Sequence, residues 1–134
     1  MADDRDTPDG TDRTAPLPLL VVDGANVVGS RPDGWWRDRR GAAERLRDRL
    51  AAEGLPGRAE AMEIVLVVEG AARGVESVPG VRVESAPGSG DDRIVELVAH
   101  DLGRPRLVVT ADRELRRRVT GLGAEVTGPR AVLG

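Results

Sequence analysis

Three short apolar runs in this chain each stop at an acidic residue, and no other feature restricts its fold as strongly. Leu19-Leu20-Val21-Val22 runs into Asp23, followed by Gly24-Ala25-Asn26. Ile64-Val65-Leu66-Val67-Val68 runs into Glu69-Gly70, and Leu107-Val108-Val109 runs through Thr110-Ala111 into Asp112. Unbroken runs of Val, Ile and Leu are the pattern of strands buried on both faces, as in a parallel sheet covered by helices. Ligands of open parallel sheets bind beyond the carboxyl ends of the strands. Asp23, Glu69 and Asp112 are therefore expected at one edge of one sheet. No basic residue stands inside the three acidic motifs, so the cluster suits a hard divalent cation.

The intervals between the runs supply the helices. Strand one is predicted over Leu17 to Asp23, with a loop from Gly24 to about Arg37 broken by Gly29, Pro32 and Gly34. A helix follows over Arg39 to Glu53, its stripe made by Ala43, Leu46 and Leu50. Strand two covers Glu63 to Glu69, and Val81-Arg82-Val83 is a weaker strand. Ser89-Gly90-Asp91-Asp92 opens a helix to about Leu102, with Ile94, Leu97, Val98 and Leu102 on its apolar side. A strand over Arg106 to Thr110, a helix from Asp112 to about Thr120, a short strand Ala124-Glu125-Val126 and a turn at Gly128-Pro129 complete the pattern. Alternating strands and helices predict an α/β three-layer sandwich with a mostly parallel sheet of about five strands.

Length and inventory restrict the chemistry. At 134 residues the chain forms one domain with a real core, here 17–134. Residues 1–16 are polar, acidic and broken by Pro8 and Pro16, and read as a disordered tail. That tail holds five Asp and two Arg, which leaves the rest of the chain with 18 acids and 18 bases. The acidic isoelectric point therefore belongs to the tail and does not argue against a nucleic-acid partner. Cysteine is absent and His100, expected to be exposed, is the only histidine, so thiolate and histidine-rich metal sites are excluded. There is no lysine, hence no phosphate-binding P-loop. Gly88-Ser89-Gly90 lacks the third glycine of a dinucleotide fingerprint, and Asp23-Gly24-Ala25 lacks the second Asp of aspartyl phosphatases. No run is long enough to span a membrane, and the acidic start does not fit a signal peptide, so a soluble cytoplasmic protein is expected.

Each motif also has a purely structural use. Asp23 and Asn26 place a charged ligand beside an amide able to orient water or phosphate, yet both residues also suit a helix cap or Asx turn. Ser89 and Asp92 can form a capping box, which needs only one of the adjacent acids, so Asp91 is preferred over Asp92 as a ligand. Asp112 fits an N-cap as well as a ligand. Arg113, Arg116, Arg117 and Arg118 follow it; Arg118 can pair with Glu114, while Arg113 and Arg117 share another face and can meet phosphates. Trp35-Trp36 lies among Arg37, Arg39 and Arg40. Adjacent tryptophans cannot share one face of a regular element, so one is expected in the core. The other, Trp36 with Arg37 beside it, is expected as a base-stacking platform.

Taken together, "VDGAN" (Val22 to Asn26), "VVEG" (Val67 to Gly70), "SGDD" before a helix and "VTAD" (Val109 to Asp112) resemble the NYN-domain branch of the PIN-like nucleases, including small bacterial members. The resemblance spans nearly all of the folded chain. It implies Mg²⁺ or Mn²⁺ held by acids and endonucleolytic cleavage of RNA. By position it implies catalytic roles for Asp23, Asn26, Asp91 and Asp112. The candidate metal ligands are Asp23, Glu69, Asp91 or Asp92, and Asp112; related proteins often carry Asp where this chain has Glu69. RNA contacts would come from Arg113, Arg117, Trp36 and Arg37. The expected partner is RNA, free or on the ribosome, with no membrane and no nucleotide cofactor. Two other functions compete: an RNA- or ribosome-binding module of the same fold with little cleavage, and a receiver-like signalling domain. The latter usually needs a Lys beside its phosphorylated Asp, and this chain has none.

Overall fold

The chain alternates strands and helices around one parallel sheet. A computed structural model describes residues 16–58 and 60–133. The predicted acidic tail lies outside the described residues apart from Pro16, which is exposed. In chain order the elements are β1 (Leu19–Asp23), α1 (Gly24–Gly29), α2 (Arg39–Glu53), β2 (Glu63–Val68), β3 (Val81–Ser85), α3 (Gly90–His100), β4 (Arg106–Val109), α4 (Arg113–Thr120), β5 (Glu125–Thr127) and α5 (Arg130–Leu133). Short 3-10 turns occupy Trp35–Arg37 and Gly70–Ala72. Among the described residues no helix is long and apolar enough to cross a membrane.

All five strands are parallel, in the order β3-β2-β1-β4-β5. The chain builds outward from β1 to β3, then returns to lay β4 on the other side of β1. The order thus reverses between β1 and β4, the position where open α/β sheets bind ligands. In register, Leu19 lies beside Glu63 and Arg106, and Asp23 beside Val67.

The period of two along each strand divides the core. Leu20, Val22, Leu66, Val68 and Val109 pack with Ala43, Leu46 and Leu50 of α2, Val27 of α1 and Val132 of α5. Leu19, Val21, Val65, Val67 and Val108 pack with Ile94, Leu97 and Val98 of α3 and with Leu115 and Val119 of α4. Both faces are covered, which is why β1 is buried along its whole length. The same alternation sends Asp23, Glu69 and Thr110 to the α3–α4 face, at the carboxyl edge.

Several boundaries and assignments differ from the expectation. The predicted loop after Asp23 begins as the helix α1, held by the Asp23 cap on the Asn26 N–H and by fully buried Val27. Gly24 is needed there for close approach, since a Cβ would stand 2.6 Å from the Val67 carbonyl oxygen. The turn at Gly128-Pro129 continues into α5, which anchors Val132 in the core. Strand β1 starts at Leu19 and leaves Leu17 exposed; α3 stops at His100, so Leu102 lies outside the helix and is 59% exposed. Neither tryptophan enters the core: Trp35 is half-buried and Trp36 is 51% exposed, because the 3-10 turn holds them at the surface.

Candidate active site

Asp23 ends β1 at only 5% exposure, a costly place for a carboxylate. Two hydrogen bonds hold it. Its Oδ1 accepts from the Asn26 N–H at 3.3 Å and its Oδ2 from the Thr110 hydroxyl at 2.9 Å. These do not offset its burial, and the charges of Asp91 and Glu69 work in the same direction as burial. Its carboxyl is consequently pushed up to about 6 from the ordinary 3.8. Asp23 does serve as the cap of α1, as any Asp at this place could. A cap, however, requires neither this depth nor two further acids beside it.

Those acids come from β2 and α3. Ser89 alone caps α3, its hydroxyl accepting from the Asp92 N–H at 3.1 Å, so neither Asp91 nor Asp92 is needed as the cap. The pair divides cleanly. Asp92 is exposed and its Oδ1 accepts from Arg118 Nη2 at 3.1 Å. Asp91 makes no hydrogen bond or ion pair among the described residues, and its carboxyl is raised by burial first, then by Asp112 and Glu69, with Arg118 opposing. Glu69 uses its length to reach α3: its Oε1 accepts from the Gly90 N–H at 2.6 Å. A Cβ at Gly90 would lie 2.5 Å from that oxygen, so glycine lets the Glu69 carboxylate come this close without shifting.

The third acid arrives from β4. Asp112 caps α4, its Oδ1 accepting from the Leu115 N–H at 2.8 Å. Thr110, fully buried, links it to Asp23: the Thr110 hydroxyl accepts from the Asp112 N–H at 3.1 Å while donating to Asp23. Sequence reasoning gave Thr110 no role, although its place two residues beyond Val108 puts it on the acid-bearing face. Asn26 closes the other side, its Oδ1 accepting from the Ala111 N–H at 2.8 Å. That contact fixes the amide so that the NH₂ group, unpartnered among the described residues, remains available as a donor.

The arginines are arranged differently from the expectation. Glu114 pairs with Arg117 one turn on, and Arg118 crosses to Asp92 on α3 instead of pairing with Glu114. Arg117 is therefore already engaged, whereas Arg113 is exposed with no hydrogen bond or ion pair among the described residues. Arg116 donates from Nε to the Thr110 carbonyl at 2.8 Å, steadying the strand end. Arg37 stands over the exposed Trp36 ring, 5.6 Å from its centroid. His100 is exposed, at the far end of α3 from Asp91.

Asp23, Glu69, Asp91 and Asp112 thus lie along the carboxyl edge, Asp91 near enough to the other three to share their charge, and none of the four is ion-paired among the described residues. The donor set is oxygen only, which suits Mg²⁺ or Mn²⁺. Among the described residues no three acidic side chains are placed to enclose an ion unaided. Mg²⁺ asks less than that, since it keeps several waters and binds through one or two carboxylates. Burial first, and the neighbouring acids after it, make Asp23 and Asp91 hold their protons more tightly than usual; a divalent cation would offset both, and the oxygen donors fit such an ion.

No family model and no curated protein matches the chain. Among solved structures it is similar to Rae1 (YacP) from Bacillus subtilis, with a TM-score of 0.66 and 22% identity over 86% of this chain and 71% of that one. The W164L mutant of the same protein gives a TM-score of 0.67 and 21% identity, covering 87% and 73%. At this identity the likeness establishes a shared fold.

Proposed function

We propose that the chain is a metal-dependent endoribonuclease that cleaves RNA at the carboxylate edge. The observation that carries this reading is the buried Asp23 near Asp91 and Glu69 at the β1–β4 switch point, with no cation partner among the described residues. The NYN-like motifs and the shared fold with Rae1 support it.

In this reading Asp23 and Asp91 hold Mg²⁺ or Mn²⁺, Asp112 and Glu69 reach it directly or through water, and Asp92 is held away by Arg118. The ion, when bound, supplies an activated water and neutralises charge on the scissile phosphate. The protein's own part is positioning. Thr110 fixes the Asp23 carboxylate and the start of α4 with one hydroxyl, so two acids from different strands keep their spacing. Asn26, locked by Ala111, offers its NH₂ to a phosphate oxygen. Arg113 offers a free guanidinium at the start of α4, where a phosphate can be bound in bidentate fashion. Near pH 7 Asp23, at about 6, is mostly ionised and ready to take a cation.

The competing reading is an RNA-binding module of the same fold, favoured by the lack, among the described residues, of three acids placed to enclose an ion. Incubating purified protein with end-labelled single-stranded RNA separates the two. A nuclease cuts in Mn²⁺, stops in EDTA and is inactive as Asp23→Asn. Intact RNA under all conditions, bound equally by both proteins, would establish the module instead.

A further inference from the structure

Beside the carboxylate edge, on the α2 face of the sheet, lies a pocket of about 200 Å³ that the proposed chemistry does not use. Ala43, Val68 and Ala72 give it apolar walls, Trp35 and Arg39 form another side, and Glu69 belongs both to the pocket and to the acid cluster. We propose that this pocket receives one base of a single-stranded RNA whose backbone crosses the carboxylate edge. The proposal rests on the nuclease reading and adds to it a subsite for the substrate.

Three observations select a base as occupant. The first is shape and polarity. The lining offers small apolar side chains and two flat ones, the Trp35 indole and the Arg39 guanidinium, whose Cζ stands 5.4 Å from the indole centroid. Aromatic rings and guanidinium planes are the surfaces on which unpaired bases stack. The second is charge. Arg39 makes no hydrogen bond or ion pair among the described residues, and neither does Arg37 on the adjoining Trp36. A cation in the pocket wall and a second on the neighbouring indole fit a polyanion and do not fit an apolar peptide or a lipid tail. The third is continuity. Glu69 faces the pocket on one side and reaches the Gly90 N–H of the acid cluster on the other. A base seated here leaves its own phosphate at the acids.

Trp35 is half-buried at the pocket wall instead of in the core; it lies beside Gly29 of α1, with Arg39 over its ring and the Trp36 ring nearly perpendicular at a centroid distance of 6.2 Å. Trp36, expected to be the stacking platform, is the outer of the two and carries Arg37. The inner ring, which shares the pocket with Glu69, is the better placed for a base.

The test uses a short single-stranded RNA with phosphorothioate linkages, which resists cleavage in Mg²⁺, bound to the full chain in that ion and followed by fluorescence anisotropy. Each nucleotide in turn is replaced by an abasic one. One position should lose about 5- to 150-fold in affinity, the equivalent of one stacked base, while the others change little. Trp35→Ala should erase that dependence on position, and Trp35→Phe should restore it. In Trp36→Leu the remaining indole should be quenched by intact RNA and not by RNA lacking the critical base. The abasic series on the wild-type protein decides the matter even if Trp35→Ala fails to fold. A flat series, with RNA still bound and Trp35 fluorescence unchanged, overturns the pocket proposal and leaves the nuclease reading standing. Failure to bind any RNA overturns both.

Discussion

Asp23→Asn should change stability with a sign that depends on pH. In the fold the Asp23 carboxyl holds its proton up to about 6, against the ordinary 3.8 of an unfolded chain. Between those values the native state binds more protons than the unfolded state, so stability falls as pH rises through that window and is level above it. The gap amounts to about 3 kcal/mol of stability absent at neutral pH. Asn has the same shape, and its Oδ1 can still accept from the Asn26 N–H. Its NH₂ then faces Thr110, whose hydroxyl must turn from donor to acceptor while keeping the Asp112 N–H. Exchanging a charged hydrogen bond for a neutral one costs about 1 kcal/mol. The net expectation is a variant about 2 kcal/mol more stable at pH 7, or roughly 6–10 °C in melting temperature. Near pH 4 the wild-type carboxyl is protonated in the fold and the advantage should disappear. Thermal unfolding by circular dichroism with a chelator present, from pH 4 to pH 8, measures both ends. A variant less stable at pH 7 by about 0.5–2 kcal/mol, as for the loss of an ordinary cap, or a difference that ignores pH, would refute the reasoning.

Two further substitutions probe the frame around that carboxylate. Thr110→Val removes the hydroxyl that lowers the proton affinity of Asp23, so the falling part of the stability curve should extend above pH 6. The same change should cost about 1–3 kcal/mol at pH 7, read in the same pH series; an unmoved curve would separate Thr110 from Asp23. Gly24→Ala drives a Cβ to within 2.6 Å of the Val67 backbone oxygen, an atom that cannot swing aside. A loss of about 1–3 kcal/mol in urea unfolding is expected, and a neutral result would show that the β1–α1 turn has room to spare.

How much of this the sequence disclosed follows from which forces are local. A strand buried on both faces must be apolar throughout, so the three runs were legible, and parallel pairing alone brings their acidic ends to one edge. The opening helix α1 was not legible. It is six residues long, bounded by Gly24 and Gly29, and it exists because of the Asp23 cap and the burial of Val27, both settled by the rest of the fold. The capping-box argument favours Asp91 over Asp92 as a ligand; the structure separates the two for a different reason, since Ser89 caps the helix alone and Arg118, from another helix, takes Asp92. Pairing rules along one helix pointed to Arg118–Glu114 and had no means of detecting the cross-helix partner. Thr110 was visible in the sequence but silent, as a small hydroxyl between a strand and an acid attracts no notice until the pleat aims it at Asp23. Adjacency in a regular element would send one tryptophan into the core, whereas the 3-10 turn is not such an element and holds both rings at the surface.

The central claim is that Asp23 and Asp91 form a divalent-cation site from which Asp92 is excluded. Titrating the metal-free protein with Mn²⁺, and counting free ion by electron paramagnetic resonance at pH 7, tests it without any substrate. Wild type and Asp92→Asn should bind with similar affinity, whereas Asp23→Asn and Asp91→Asn should each weaken binding by about tenfold or more, the scale of losing a ligand's contribution. Proton competition adds a signature: affinity for the wild type should rise from pH 5 to about 6, where Asp23 ionises, and level off beyond. If all four proteins bind Mn²⁺ alike, or if Asp92→Asn is the variant that loses it, the carboxylate edge is not the metal site described here.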